Sequence, residues 1–193
     1  MLRLDDRIWI LWAIWILIFP LTWIISFFLA VVVHELFHVA AIYLVGGKVK
    51  GISVLPAGVL LEAEGIEGGR EILCALAGPC GSFLLVFLAR VSPGLALCGF
   101  VQGVFNLLPV YPLDGGRALR SILYCISAEK GERIADFLEF AFLSALVCSI
   151  TVLSLRYRLG FFPFVICVFV IASAIQRKRL EKEAKSGYNS ATI

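Results

Sequence analysis

The chain contains two histidines, His34 and His38, and Glu35 directly follows the first of them. Residues four apart in a helix lie on the same face, because one turn takes about 3.6 residues. Two neutral imidazoles at this spacing can supply two corners of a tetrahedral zinc site. Glu35 lies about 100° further round the helix, where it can contact a zinc-bound water without binding the metal. The pattern predicts a hydrolytic metal centre with Glu35 as general base.

The sequence around this motif is almost wholly apolar, from residue 24 to 33 and from 39 to 45. Ionisable side chains at membrane depth are rare because their burial costs several kcal/mol, so they usually have a function. A bound cation would compensate for one glutamate and two histidines within five residues. The alternative interpretation is a buried histidine pair that only hydrogen-bonds its neighbours.

A third ligand is needed, and Asp114 is the candidate. Pro109 and Pro112 interrupt regular helix before it, and Gly115 and Gly116 after it allow a tight turn and a close backbone approach. Zinc at +2, one aspartate and one hydroxide sum to zero charge, which is tolerable at low dielectric. The alternative is that Asp114 caps a helix beginning near Gly115.

Composition indicates a polytopic membrane protein. Of 193 residues, 61% are hydrophobic and 16% are charged, and the mean hydropathy is +0.96. The net charge of +3 gives no support for a nucleic-acid partner. No CxxC pair occurs among the six cysteines, which we interpret as small buried hydrophobic residues.

Apolar runs predict an all-α polytopic membrane protein with about six transmembrane helices. A small membrane-edge β segment is expected between helices 2 and 3, with short strands around Ser53 and Leu60. Residues 1–175 would form one transmembrane domain, and residues 176–193 a basic cytoplasmic tail. The predicted spans are residues 8–20, 22–45, 71–89, 94–108, 135–155 and 160–175.

The basic residues predict the orientation. With six spans and both termini in the cytoplasm, all but three of the 17 lysines and arginines face inward; the exceptions are Arg90, Arg156 and Arg158. A single helix over residues 8–45 would give five spans and a slightly poorer distribution. The chain is expected to be an integral protein of a bacterial cell membrane, which it would cross several times.

Three segments together resemble the signatures of the site-2 protease family of intramembrane zinc metalloproteases, most of all the branch with the stage IV sporulation protease. They are His34-Glu35-Leu36-Phe37-His38, Ala77-Gly78-Pro79 and the run from Asn106 to Gly116. The resemblance implies one zinc ion held by His34, His38 and Asp114, with Glu35 activating water. It also implies that residues 48–69 form a small sheet at the membrane edge and that substrates are membrane-anchored proteins.

Two further residues matter to this comparison. Asn106 could bind the substrate backbone or a developing oxyanion, as the resemblance suggests, or only pack between helices. Ser82 stands where many family members carry an asparagine.

The predicted function is hydrolysis of peptide bonds in membrane-anchored, regulatory proteins, within or near the bilayer. Regulatory membrane proteins are further candidate partners, and the oligomeric state is left open. One alternative is a metal-ion transporter, although transporters spread their ligands along a path through the bilayer. The other is a noncatalytic membrane scaffold with a decayed site.

Overall fold

The computed structural model describes residues 2–4, 17–55 and 58–157 of the chain. Helices predominate, with one small sheet inserted between the first two of them. In chain order the elements are β1 (Leu2–Leu4), α1 (Leu21–Leu44), β2 (Lys48–Leu55), β3 (Gly58–Glu64), α2 (Gly69–Leu84), a 3-10 turn (Leu85–Leu88), α3 (Pro93–Asn106), α4 (Asp114–Ile126) and α5 (Ala128–Tyr157).

Within the described residues, three helices are long and apolar enough to cross a membrane: Leu21–Leu44, Gly69–Leu88 and Lys130–Ser154. They match the predicted second, third and fifth spans. The predicted fourth span corresponds to α3, which has 14 residues and falls short of the ~20 that a bilayer needs. Most of the predicted span 8–20, the whole of 160–175 and the tail 176–193 lie outside the described residues, so the total of six remains a prediction.

Helix α1 shows why the motif is buried although most of the helix surface is not. Its buried residues recur along one stripe: Ile24, Ala30, His34, His38 and Ile42. The remaining faces expose large apolar side chains, for example Leu36 at 58% and Leu44 at 86%. A helix that is apolar on all sides suits a membrane span. The histidine face packs against α2 and α3, and the other faces are available to lipid.

The predicted strands around Ser53 and Leu60 are confirmed as β2 and β3, which pair antiparallel, with Ser53 opposite Leu60. A third strand, β1, pairs in parallel with β2 and was not predicted, because three residues carry too little pattern. The order is β1-β2-β3. Among the described strands, β2 is therefore covered on both sides, and β3 keeps one unpaired edge.

The sequence predicted helix α4 only in the alternative interpretation, in which Asp114 caps a helix that begins near Gly115. The helix exists, but Asp114 is its first residue, Leu113 is the N-cap, and no side-chain cap hydrogen bond forms. The preceding loop contains a cis peptide bond between Tyr111 and Pro112. The Asp114 carboxylate is thus not used as a helix cap.

The interpretation of the cysteines as buried hydrophobic residues was mostly wrong. The five described cysteines are free, but only Cys74 is buried, and three are exposed. In a membrane-spanning fold, lipid-facing positions accept a small apolar thiol as readily as the core does.

Gly115 and Gly116 fulfil the predicted close approach. A Cβ atom at Gly115 would lie 2.7 Å from the Leu108 carbonyl oxygen, and one at Gly116 would lie 2.5 Å from the Tyr111 nitrogen. The first turn of α4 therefore rests directly on the backbone of the loop that precedes it. Backbone atoms cannot rotate away as a flexible side chain can.

We expect Gly116→Ala to destabilise the fold by about 1–3 kcal/mol, the usual range for overpacking a tight site. The matched control is Gly69→Ala, also in the first turn of a helix, where an added Cβ meets nothing within 4 Å. Thermal unfolding in detergent, followed by circular dichroism, measures both. Equal midpoints for the two variants would contradict this account of the contact.

Candidate metal centre

Three predicted ligands from two distant helices meet at one point. His34 Nε2 lies 3.0 Å from Asp114 Oδ2, His38 Nε2 lies 3.2 Å from the same oxygen, and the two Nε2 atoms are 3.2 Å apart. All three residues are buried, at 3%, 6% and 6% exposure. They are the one group of three or more potential ligand side chains that the described part of the chain contains.

The outer nitrogens of both imidazoles are held by α2. His38 Nδ1 donates a hydrogen bond to the backbone carbonyl of Cys74, at 2.7 Å, and a carbonyl can only accept. His34 Nδ1 lies 2.8 Å from the hydroxyl oxygen of the fully buried Ser82. The hydrogen on His38 Nδ1 leaves a lone pair on its Nε2 when the ring is neutral, and the Ser82 hydroxyl can accept a hydrogen bond from His34 Nδ1 in the same way. Such partners fix the ring orientation and tautomer that a metal-binding histidine requires.

The geometry of this group fits a metal ion. Two ligands about 2.0–2.1 Å from zinc at a tetrahedral angle are separated by about 3.3 Å, close to the 3.0 Å and 3.2 Å observed. Three lone-pair atoms at such distances repel one another, so a positive charge must lie between them, either as protons on the imidazoles or as a metal ion.

Gly78 leaves the space for that ion. A Cβ atom at this position of α2 would lie 2.7 Å from His34 Nε2 and still closer to His38 Nε2. Any side chain there would therefore occupy the side of the imidazoles on which a metal would bind. The absence of a side chain at Gly78 is what allows α2 to close over the site without filling it.

The pKa of the buried Asp114 carboxyl group is set by its neighbours. Burial by itself would raise this pKa, but the two imidazoles, where their Nε2 atoms carry protons, outweigh that effect and lower the pKa to about 2. Arg117 Nη1, one turn along α4, lies 4.0 Å from Asp114 Oδ1. The carboxylate is thus present in the form that binds a cation.

Glu35 lies next to the three candidate ligands but is not one of them, as the sequence predicted. It is only partly buried, and its carboxyl group interacts electrostatically with His38, His34, Asp114 and Arg117. It does not belong to the converging ligand atoms. A carboxylate close to the centre and reachable by water can exchange protons there.

Asn106 does not reach the three ligands. It is the last residue of α3, and its Nδ2 donates to the Gln102 carbonyl of the same helix at 3.1 Å. Its role toward a substrate stays a prediction.

The sequence singled out Ser82 as the residue in place of an asparagine, but its hydrogen bond to His34 was not predicted. The role of the Cys74 carbonyl was missed altogether. No sequence signal identifies a particular backbone carbonyl as a partner.

An open cavity connects the centre with the sheet. It is lined by His38 and Ile42 of α1, Leu61 and Ala63 of β3, Ile66 between β3 and α2, Glu71 and Cys74 of α2, and Arg117 of α4. Its walls are apolar toward the strand and charged at Glu71 and Arg117. The buried ligands therefore have a route to water along the side where β3 lies.

Comparison with known proteins agrees with this geometry. Residues 89–146 match the family described as Peptidase family M50. The chain is 35% identical to a zinc metalloprotease of Methanocaldococcus jannaschii over 113 residues, 51% of this chain and 33% of that protein. It is 30% identical to stage IV sporulation protein FB of Bacillus subtilis over 127 residues, 58% of this chain and 44% of that protein. The chain thus spans between a third and a half of these relatives.

A solved structure, the site-2 protease from Methanocaldococcus jannaschii, superposes with a TM-score of 0.64 and 26% identity, covering 91% of this chain and 89% of that one. These findings confirm the predicted resemblance to the site-2 protease family of membrane zinc metalloproteases. The grouping of His34, His38 and Asp114 as a possible metal site agrees with the predicted zinc cofactor, and one relative is described as a zinc metalloprotease.

We expect Ser82→Ala to weaken metal binding about 10- to 100-fold, the usual cost of losing a hydrogen bond to a ligating imidazole. His34 would lose the partner that holds its ring. Ser144→Ala is the matched control, because that exposed hydroxyl bonds only the Phe140 carbonyl of its own helix. Competition with a zinc chelator measures the dissociation constants, and equal values for both variants would remove Ser82 from the site.

Proposed function

We propose that the chain is an intramembrane zinc metalloprotease that hydrolyses peptide bonds of membrane-anchored proteins. The observation that carries the proposal is the convergence of His34 Nε2, His38 Nε2 and Asp114 Oδ2 beneath apolar helices, with Glu35 beside them. Two imidazoles and one carboxylate leave a fourth position open, which is the donor set of a catalytic rather than a structural zinc site. The similarity to a zinc metalloprotease and to a solved site-2 protease supports zinc and proteolysis.

Each residue has a separate role in this proposal. His34, His38 and Asp114 hold the ion, and the ion when bound polarises the scissile carbonyl and makes water a better nucleophile at neutral pH. Glu35 takes a proton from the attacking water and delivers it to the leaving amine nitrogen. Arg117 raises the positive charge at the mouth of the cavity, where the carbonyl of a substrate would enter.

The substrate would be a membrane-anchored polypeptide in an extended form. A peptide bond inside a helix is shielded, whereas the open edge of β3 can accept an added strand through backbone hydrogen bonds. Leu61 and Ala63 of β3 line the cavity that leads to His38, so a strand on this edge would run past the centre.

The orientation proposed for the chain places this cavity on the cytoplasmic side, with both termini there. Lys48, Lys50 and Arg70 lie where α1 ends and α2 begins, consistent with the positive-inside rule. Membrane proteins that regulate the protease would act on the same side.

The first test is the zinc content of the detergent-purified full chain by elemental analysis. We expect about one zinc per chain in the wild type, as for a single three-ligand site. The ion should be lost in His34→Ala, bound more weakly in Asp114→Asn and retained in Glu35→Gln. A folded wild type without zinc would overturn the proposal and favour a scaffold with a decayed site.

Glu35→Gln separates proteolysis from the other functions. With zinc retained, we expect cleavage of a library of tagged single-span polypeptides to fall about 100- to 10,000-fold, the range of general acid–base catalysis. Shortened products are counted by mass spectrometry. Undiminished cleavage would exclude the role of Glu35, and zinc uptake into vesicles by both proteins would indicate a transporter.

The strand edge is tested by Val59→Pro and Leu60→Pro. Backbone N–H groups of adjacent strand residues point to opposite sides, so one variant loses a bond to β2 and the other loses a donor on the open edge. The variant that loses an N–H group on the open edge should keep its zinc and thermal stability but lose most cleavage. The variant that loses a hydrogen bond to β2 should also be less stable. If both variants cleave like the wild type, substrates do not add to this strand.

A further inference from the structure

A charged cluster outside the metal centre joins the two helices that follow Asp114. Arg120 of α4 donates from Nη2 to Asp136 Oδ1 at 2.6 Å and to Glu139 Oε2 at 2.8 Å, both on α5. Glu139 is 5% exposed and lies within a helix that is long and apolar enough to cross a membrane. A carboxylate at such a place is expensive and therefore needs its guanidinium partner.

The same guanidinium contacts the loop that leads to the site. Its central carbon lies 4.8 Å from the centroid of the Tyr111 ring, a distance at which a cation is attracted to the face of an aromatic ring. Tyr111 comes three residues before Asp114, next to Val110, which is 1% exposed. Arg120 is thus a single side chain in contact with both α5 and the loop.

Asp114 depends on this arrangement because it sits where the loop becomes α4. Its Oδ2 must stay within 3.0 Å and 3.2 Å of the two histidine nitrogens on α1. The Nδ1 atoms of the histidine rings are held by α2. Helix α4 packs against both α2 and α5, and the ion pairs of Arg120 join it to α5. A shift of α4 along α5 would move the carboxylate away while leaving the histidines in place.

We propose that Arg120 is a positioning residue for the metal centre: by binding Asp136 and Glu139 while stacking on Tyr111, it holds the Asp114 carboxylate in register with His34 and His38. The proposal rests on the proposed metal-binding function. It adds α5, which contributes no ligand, to the elements that determine the geometry of the site.

The test is titration of the metal-free full chain in detergent with Co²⁺, followed by the visible absorption bands of the bound ion. These bands respond to ligand geometry, which a change in overall stability does not alter. We expect Arg120→Gln to weaken Co²⁺ binding about 10-fold or more and to change the band shape at saturation. Arg120→Lys should restore part of the affinity, because it keeps the charge but cannot bridge both carboxylates and stack on the ring.

Tyr111→Leu is the second variant, since it keeps both ion pairs and removes the aromatic ring that the Arg120 guanidinium contacts. It should change the band shape in the same direction, and it decides the matter if Arg120→Gln does not fold. Arg133→Gln, an exposed arginine of α5, is the matched control and should behave like the wild type.

The outcomes separate the two proposals. If the wild type binds Co²⁺ and both Arg120→Gln and Tyr111→Leu show the same affinity and band shape, the positioning role alone is overturned. Wild type that is folded and binds neither Co²⁺ nor Zn²⁺ would overturn the metal-binding function and this inference with it.

Discussion

The structure depends on one electrostatic constraint: three atoms with lone pairs meet in a place that excludes water. His34 Nε2, His38 Nε2 and Asp114 Oδ2 are 3.0–3.2 Å apart, and all three residues are nearly inaccessible. Without a positive charge among them the arrangement would be unstable, because little solvent is present to screen it. The carbonyl of Cys74 and the hydroxyl of Ser82 bind the Nδ1 atoms of the two imidazoles, so that both Nε2 atoms face inward. A cation bound among these three atoms would therefore stabilise the fold.

Close packing of the helices at glycines allows these charged groups to be enclosed in an apolar fold. A Cβ at Gly78 would collide with the histidines, and one at Gly81 would lie 2.5 Å from the Phe37 ring, so α2 lies directly on α1. A Cβ at Gly99 would lie 2.7 Å from the Ser82 carbonyl oxygen, so α3 also lies directly on α2. Lipid gives little hydrophobic drive for helices to associate, so small residues that permit close contact contribute much of the packing. The glycines thus determine both how the helices meet and how much room the centre has.

Function follows from the contrast between the two sides of this centre. Toward α1, α2 and α3 it is enclosed by apolar helices, whereas toward the sheet a cavity opens past Glu71 and Arg117. A hydrolase within a bilayer needs both features: enclosure strengthens the electrostatic effect of a bound ion, and an opening admits water and an extended chain. Leu61 and Ala63 of β3 line that opening. The proposed peptide hydrolysis is therefore consistent with where the fold is closed and where it is accessible.

The sequence by itself determined the local chemistry. Two histidines four apart with an adjacent glutamate define one helical face, and Pro109, Pro112 and the glycines after Asp114 mark a rigid segment that brings a third ligand from 76 residues further along. The long apolar runs of α1 and α2 and the strands β2 and β3 were also predictable, because each has its own local pattern of apolar residues. Tertiary structure alone decided the rest. Helix α4 begins with glycines that disfavour helix, the Cys74 carbonyl is chemically identical to every other carbonyl, and the contact of Arg120 with Tyr111 and Glu139 depends on how α4 packs against α5. Such interactions arise from the relative placement of distant segments, for which a single sequence holds no periodic signal.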